Sequence, residues 1–222
     1  MQSSFSLIYR NAFKEFLYID EPETHRYNRK FALKKSVEVK IHGNKRFIEN
    51  LALRLGGETD FNFNDKKCHG FKNIIQDAEC GLALLQECKS NHHLFVNFSL
   101  MQSVGNLQAV KGQNKFDRLD TFIFKLSKYL GSGKCKNNRD SSFIQLENQR
   151  HPIAEDMLTT YLENFTDIND YCKKVYFLID SYFIERIIKE GQEDLVTLEH
   201  FKRYANLAKD FWKEKLKTGL YV

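Results

Sequence analysis

The most apolar short run in the chain is Leu94 to Met101, eight residues rich in strand formers, and it predicts a buried central strand. A polar loop follows, with Gly105 and Gly112 around Asn106, Gln108 and Lys111. A helix then runs from Asp117 to Gly131 with Leu119, Phe122, Ile123, Leu126 and Leu130 on one stripe and Asp117 as its N-cap. Upstream, Phe5, Ile8, Tyr9, Phe13, Phe16 and Leu17 predict an amphipathic helix over 4–19, ending before Asp20-Glu21-Pro22. The period changes to two at Val37, Val39 and Ile41, which predicts a strand within Phe31 to Ile41, closed by a turn at His42-Gly43-Asn44. Phe47, Ile48, Leu51 and Leu55 return to helical spacing, with Gly56-Gly57 as the stop, and Phe61 and Phe63 alternate as a short edge strand. Phe71 to Lys89 reads as a helix through Ile74, Ile75, Ala78, Leu82, Leu85 and Cys88, weakened at Gly81 by about 1 kcal/mol relative to Ala.

The last third is helical throughout. Ser132 to Ser142 is polar and basic and reads as a linker. Pro152 starts a helix carrying Ile153, Met157, Leu158, Tyr161, Leu162 and Phe165. Thr166-Asp167 cap a second, with Ile168, Tyr171, Cys172, Val175, Leu178, Ile179, Phe183 and Ile187, closed by Gly191. A third begins near Thr197 with Phe201, Tyr204, Ala205, Ala208, Trp212 and Leu216. The pattern as a whole predicts an α+β or α/β fold: a small mixed β-sheet covered by helices, with a mixed core over 1–142 and a helical section over 143–222 packed on it.

Composition narrows the setting. Apolar residues are 42% and charged residues 28% of 222, enough to bury a sizeable core, and nineteen Phe and ten Tyr make that core aromatic. No apolar run approaches the roughly 18 to 20 residues of a membrane span. Met1 to Ile19 lacks the basic start and apolar centre of a signal peptide, so a cytoplasmic protein with no membrane partner is expected. Five scattered cysteines, an odd number without close pairs, fit free and mostly buried thiols in a reducing compartment.

Charge is uneven. The net charge is only +5, yet Arg26 to Arg46 carries +7 and Lys111 to Arg139 carries +6. Such asymmetry points to an anionic partner, a nucleic acid or nucleotide phosphate, with Lys34, Lys35, Asn106, Lys111 and Arg118 as the contacting residues and Tyr27, Phe31 and Phe47 available for stacking. The glycine loop before a helix start is a further place where backbone N–H groups can hold an anion.

Catalytic patterns are sparse. Glu38-Val39-Lys40 on a strand, with Asp20 or Glu21 upstream, resembles the metal-dependent nucleases of the PD-(D/E)xK type. That resemblance implies carboxylates holding Mg²⁺ and a lysine assisting the attacking water. His92-His93 with Asn97, Asn106 and Lys111 resembles the end of an HNH nuclease, although the spacing from His to Asn is shorter and no zinc knuckle is present. Cys68-His69, Cys80, Cys88 and His92 lack the close C-x₂₋₄-C pairs of structural zinc. Gly131-Ser132-Gly133-Lys134-Cys135 fails as a phosphate loop, because its first glycine would fall at Lys128 and Cys follows the lysine. No G-x-S-x-G elbow is present. No metal or cofactor is expected, Mg²⁺ entering only with the nuclease pattern.

The succession Asn97-Phe98-Ser99-Leu100-Met101, Gly105, Lys111-Gly112 and Asp117-Arg118-Leu119-Asp120 resembles a pattern in small cytosolic bacterial proteins of no established activity. It implies a bacterial cytosolic protein of the kind found among accessory or phage-defence genes. Three functions follow as expectations: nucleic-acid or phosphate binding through a basic face, an interaction or regulatory subunit using the C-terminal helices, and a Mg²⁺-dependent nuclease.

Overall fold

The structure is a computed structural model that describes residues 18–20, 31–33, 37–41, 44–48, 51–59, 61, 74–75, 79–91, 94–102, 118–131 and 161–219, with side chains described within 57–59, 61, 74–75, 79–91, 94, 96–99, 118–131 and 161–219. Of the helix expected over 4–19, residues 4–17 lie outside these residues and Tyr18 and Ile19 are in a strand instead, while the linker over 132–142 and the helix start at Pro152 also lie outside.

β-prone segments pair with their neighbours in sequence. Strands β1 (Tyr18–Asp20), β2 (Phe31–Leu33), β5 (Leu51–Gly57) and β6 (Phe98–Gln102) pair antiparallel, each with the next, in the order β1-β2-β5-β6. Strands β3 (Val37–Ile41) and β4 (Asn44–Ile48) form a separate hairpin around His42-Gly43. The helix expected through Phe47 to Leu55 is therefore replaced by β4 and β5. Those apolar spacings fit either period. The alternation of β3 decides between them by offering β4 an antiparallel partner close in sequence. Gly56 and Gly57 lie inside β5, opposite Ser99 and Phe98, and do not stop a helix. The run from Leu94 is not a central strand: Leu94 is 50% exposed, Phe95–Asn97 form a 3-10 turn, and β6 is the last strand in its row. Phe61 is buried in the core as irregular chain rather than as an edge strand.

Where side chains are described, the chain is 72% helix with one short strand pair, at Gly57 and Phe98, so the expected mixed sheet covered by helices is corrected to a body of helix packed on helix. The elements are α1 (Glu79–Asn91), α2 (Leu119–Leu130), α3 (Ile168–Tyr171), α4 (Ser181–Glu190) and α5 (Leu198–Lys217). The physical reason lies in the stripes. The apolar face of α2 meets α4 and α3, that of α1 meets α5, and among the strands β6 alone makes a substantial approach to the helical segments. A helix stripe buried on another helix leaves no apolar face to cover a sheet.

Two glycines permit this packing. A Cβ at Gly81 of α1 would come within 2.7 Å of Ile75 and 2.9 Å of Leu198, so the expected weak point is a close-packing position. A Cβ at Gly191, just after α4, would come within 2.1 Å of the Asp120 carbonyl oxygen, which sets α4 directly against the start of α2.

The second C-terminal helix is broken. α3, capped by Asp167, passes into a π-helical turn at Cys172–Tyr176, and Phe177 then takes a left-handed conformation at φ 60°. Asp180 restarts the chain as α4 by accepting from the backbone N–H groups of Tyr182 and Phe183. An Asp-Ser pair inside an apolar stripe is an N-terminal signal, and it wins over the stripe's continuity. α5 begins near Thr197 as expected, and the Thr197 hydroxyl caps it by accepting from the His200 backbone N–H. On α2 the N-cap position falls on Arg118, without a side-chain cap, and Asp117 lies outside the described residues.

Candidate functional site

Buried polar groups join the strands to the helical body. The Asn97 Oδ1 accepts from the Thr59 backbone N–H at 3.1 Å, the Thr59 hydroxyl at 2.7 Å and Trp212 Nε1 at 3.1 Å, while its Nδ2 donates to the Thr59 carbonyl at 2.9 Å. One amide thus ties the end of β5, the 3-10 turn and α5. Lys215, fully buried, donates from Nζ to the Phe98 carbonyl at 2.9 Å and to Ser99 Oγ at 3.1 Å, with the Phe211 ring 5.2 Å away. Sequence reading missed Lys215. Its signal is positional, since it sits four residues after Phe211 and three after Trp212 on the buried stripe of α5.

A second buried group lies under the broken helix. Tyr161, Phe165, Tyr171, Tyr176 and Phe211 form a chain of ring contacts with centroids 4.8 to 5.5 Å apart. Burial pushes the Tyr171 and Tyr176 phenols and the Cys172 thiol well above their ordinary values, and the nearby Glu58 carboxylate raises all three further. Burial likewise pushes the Cys88 thiol up to about 12. These groups stay protonated, so the thiols are poor nucleophiles. Their chemistry is that of protonated groups held in a buried aromatic core.

Arg118, expected to contact phosphate, is 3% exposed. Its Nε donates to Asp120 Oδ1 at 2.9 Å and its Nη2 to Asp120 Oδ2 at 2.5 Å, while Nη1 donates to the Glu193 carbonyl at 2.7 Å. This bidentate pair fixes the start of α2 to the link between α4 and α5. Asn97, considered with the HNH pattern, holds the buried amide position described above. His92, His93, Lys34, Lys35, Asn106 and Lys111, with the whole glycine loop, lie outside the described residues.

The remaining sequence candidates fall on strands. Asp20 ends β1 opposite Phe31, whereas Glu38 and Lys40 are on β3 opposite Phe47 and Lys45. β1 and β3 belong to different sheets, so the described pairing does not bring Asp20 beside Glu38. Among the described residues no group of three His, Cys, Asp or Glu is placed to hold a metal ion.

The hairpin itself has a distinct register. Strand alternation puts Val37, Val39, Ile41, Asn44, Arg46 and Ile48 on one face and Glu38, Lys40, Lys45 and Phe47 on the other. Lys40 and Lys45 are direct cross-strand partners.

Two open hollows flank Ile179, which is 81% exposed. One, of about 280 Å³, is lined by Phe177, Phe183, Glu214 and Lys217, and the other, of about 260 Å³, by Asp167, Asp170 and Lys173. No described helix is long and apolar enough to cross a membrane. No protein-family model, curated protein or solved structure matches the chain.

Proposed function

We propose that the chain binds nucleic acid through the phosphate backbone, with the basic segment that contains the β3–β4 hairpin as the contact. The observation that supports this reading is the Lys40–Lys45 pairing within a segment that carries +7. Each lysine that meets a phosphate replaces a condensed counterion on the polyphosphate, and a cluster of basic positions multiplies that gain. Arg118 is left out of this contact, because its guanidinium is engaged by Asp120 and Glu193.

The test is equilibrium binding to mixed DNA and RNA across a salt series. Binding is expected to weaken steeply with salt, and the Lys40→Glu/Lys45→Glu variant to bind at least tenfold more weakly with a salt slope lower by about 2. Its thermal midpoint checks that the chain is still folded, since two glutamates opposed at these positions carry the same like-charge penalty as two lysines. Absence of binding at low salt would sink the reading. The same assay reads cleavage: Mg²⁺-dependent loss of the probe, abolished by Glu38→Gln, would replace it by the nuclease reading.

A further inference from the structure

Ile179 and Tyr182 are the two most exposed large apolar side chains among the described residues, at 81% and 76%, and both stand at the break between α3 and α4. Strained backbone supports this display. Phe177 takes a left-handed conformation that a bulky side chain rarely adopts, and Asp180 then caps α4. Between them Phe177 and Leu178 are buried while Ile179 stands out. Such strain collects where a fold presents a contact. A hollow lies on either side of Ile179, and the larger, about 280 Å³, has an apolar lining of Phe177, Leu178 and Phe183.

We propose that this surface joins two copies of the chain about a two-fold axis, with each Ile179 seated in the Phe177–Phe183 hollow of the other copy. Shape points to a second copy. A projecting side chain beside a hollow is complementary to itself, because a two-fold axis passing between them brings knob to hollow twice. Charge points the same way. The rim of that hollow carries Asp180 and Glu214 with Lys217. The rotation that seats Ile179 also carries the adjoining Asp180 to the rim that holds Lys217 of the other copy. Asp180 caps α4 through Oδ1 alone, so Oδ2 takes no part in the cap. Lys217 is paired with Glu214 yet exposed, and an ammonium has three donors, enough for a second carboxylate. A rim of one sign would repel its own copy and suit an oppositely charged partner instead. One isoleucine and one tyrosine from each copy make a small patch, so the contact is of the weak, transient kind, with a dissociation constant on the order of 100 µM. Nothing in it uses the β3–β4 hairpin, and it stands apart from the nucleic-acid reading.

The experiment is sedimentation equilibrium of the full chain without nucleic acid, over a series from about 1 to 500 µM. Reversible exchange between monomer and dimer is expected within that series. Ile179→Asp should weaken the dimer at least about tenfold, and Ile179→Leu should keep it. Thr218→Trp, which fills the hollow from its lining, should weaken it comparably with Ile179 left in place. Val196→Asp changes another exposed apolar residue, beyond the far end of α4 and about 15 Å along it, and should leave the dimer intact. Urea midpoints taken at the dilute end of the series, where the monomer prevails, show that each variant is folded. The parent's own series depends on no variant, and a chain that stays monomeric throughout overturns the inference. Growth beyond two copies overturns the two-fold arrangement, because a knob-into-hollow contact that no such axis closes continues from copy to copy. A dimer unmoved by both Ile179→Asp and Thr218→Trp overturns it as well, since the copies then meet elsewhere.

Discussion

Positive charge is handled in opposite ways in the two parts of the molecule. In the helical body, cations meet acids: Arg118 with Asp120, Lys174 with Asp170, Arg186 with Asp210, Arg203 with Glu193, and Lys209 with Glu87. In the β3–β4 hairpin, lysine is set against lysine. A paired cation adds to the fold or leaves it unchanged, whereas the register alone gives two opposed lysines no such partner across the strand. Arg118 and Lys40 look alike in sequence, each in a basic segment; Arg118 is held by a buried acid, whereas Lys40 stands at a register position opposite another lysine. The proposed phosphate contact draws on the second and not the first.

The sharpest way to break this contrast is at Arg118. Arg118→Ala leaves the Asp120 carboxylate, 1% exposed, without its bidentate partner, and breaking such a buried pair costs about 3 to 5 kcal/mol. The double variant Arg118→Met/Asp120→Leu removes both charges and should recover a large part of that loss. Urea denaturation of the two variants measures this. Nucleic-acid affinity of the single variant, taken where it remains folded, should equal that of the parent. A folded Arg118→Ala chain that keeps its stability and loses its binding would place Arg118 with the hairpin lysines.

The core also sets a pH limit. In the unfolded chain the thiols titrate near 9.0 and the phenols near 10.0, whereas in the folded chain burial holds Cys88 to about 12 and raises Cys172, Tyr171 and Tyr176 well above those values. Below about pH 9 both states keep these protons and stability does not depend on them. Above it the unfolded chain releases protons that the folded chain retains, so stability falls as pH rises, by about 1.4 kcal/mol per pH unit for each group in its window. The urea midpoint should be level from about pH 7 to 9 and drop steeply beyond about pH 10. A level midpoint up to about pH 11 would contradict the neutral, buried placement of these groups.

Much of the helical body is legible because its signals are local. Thr197 and Asp167 cap the helices their sequence promises, and the α2 stripe buries Leu119, Phe122, Ile123, Leu126 and Leu130 as spaced. What escapes is decided by partners remote in sequence. Lys45 to Leu55 has apolar positions compatible with helix and strand, and pairing with β3 and β6 settles it. Leu94 to Met101 is apolar enough for a central strand, yet its first half is turned so that Asn97 can join Thr59 to Trp212 across 38 and 115 residues. The basic segment is legible as charge; the Lys40–Lys45 opposition becomes visible only with the register.

The smallest predicted effect tests the break between α3 and α4, where the apolar stripe misleads most. Leu178 and Ile179 are neighbours that a continuous helix would place on adjoining parts of one stripe. The left-handed Phe177 and the Asp180 cap instead send them apart, Leu178 to 2% exposure and Ile179 to 81%. Ile179→Asp should then change stability by less than about 0.5 kcal/mol, as an exposed substitution does. Leu178→Asp buries a carboxylate without a partner and should cost about 3 kcal/mol or more. Urea denaturation of the pair reads the break directly. Similar losses at both positions would mean that the stripe continues through Asp180 and that the two hollows beside Ile179 do not exist in that form.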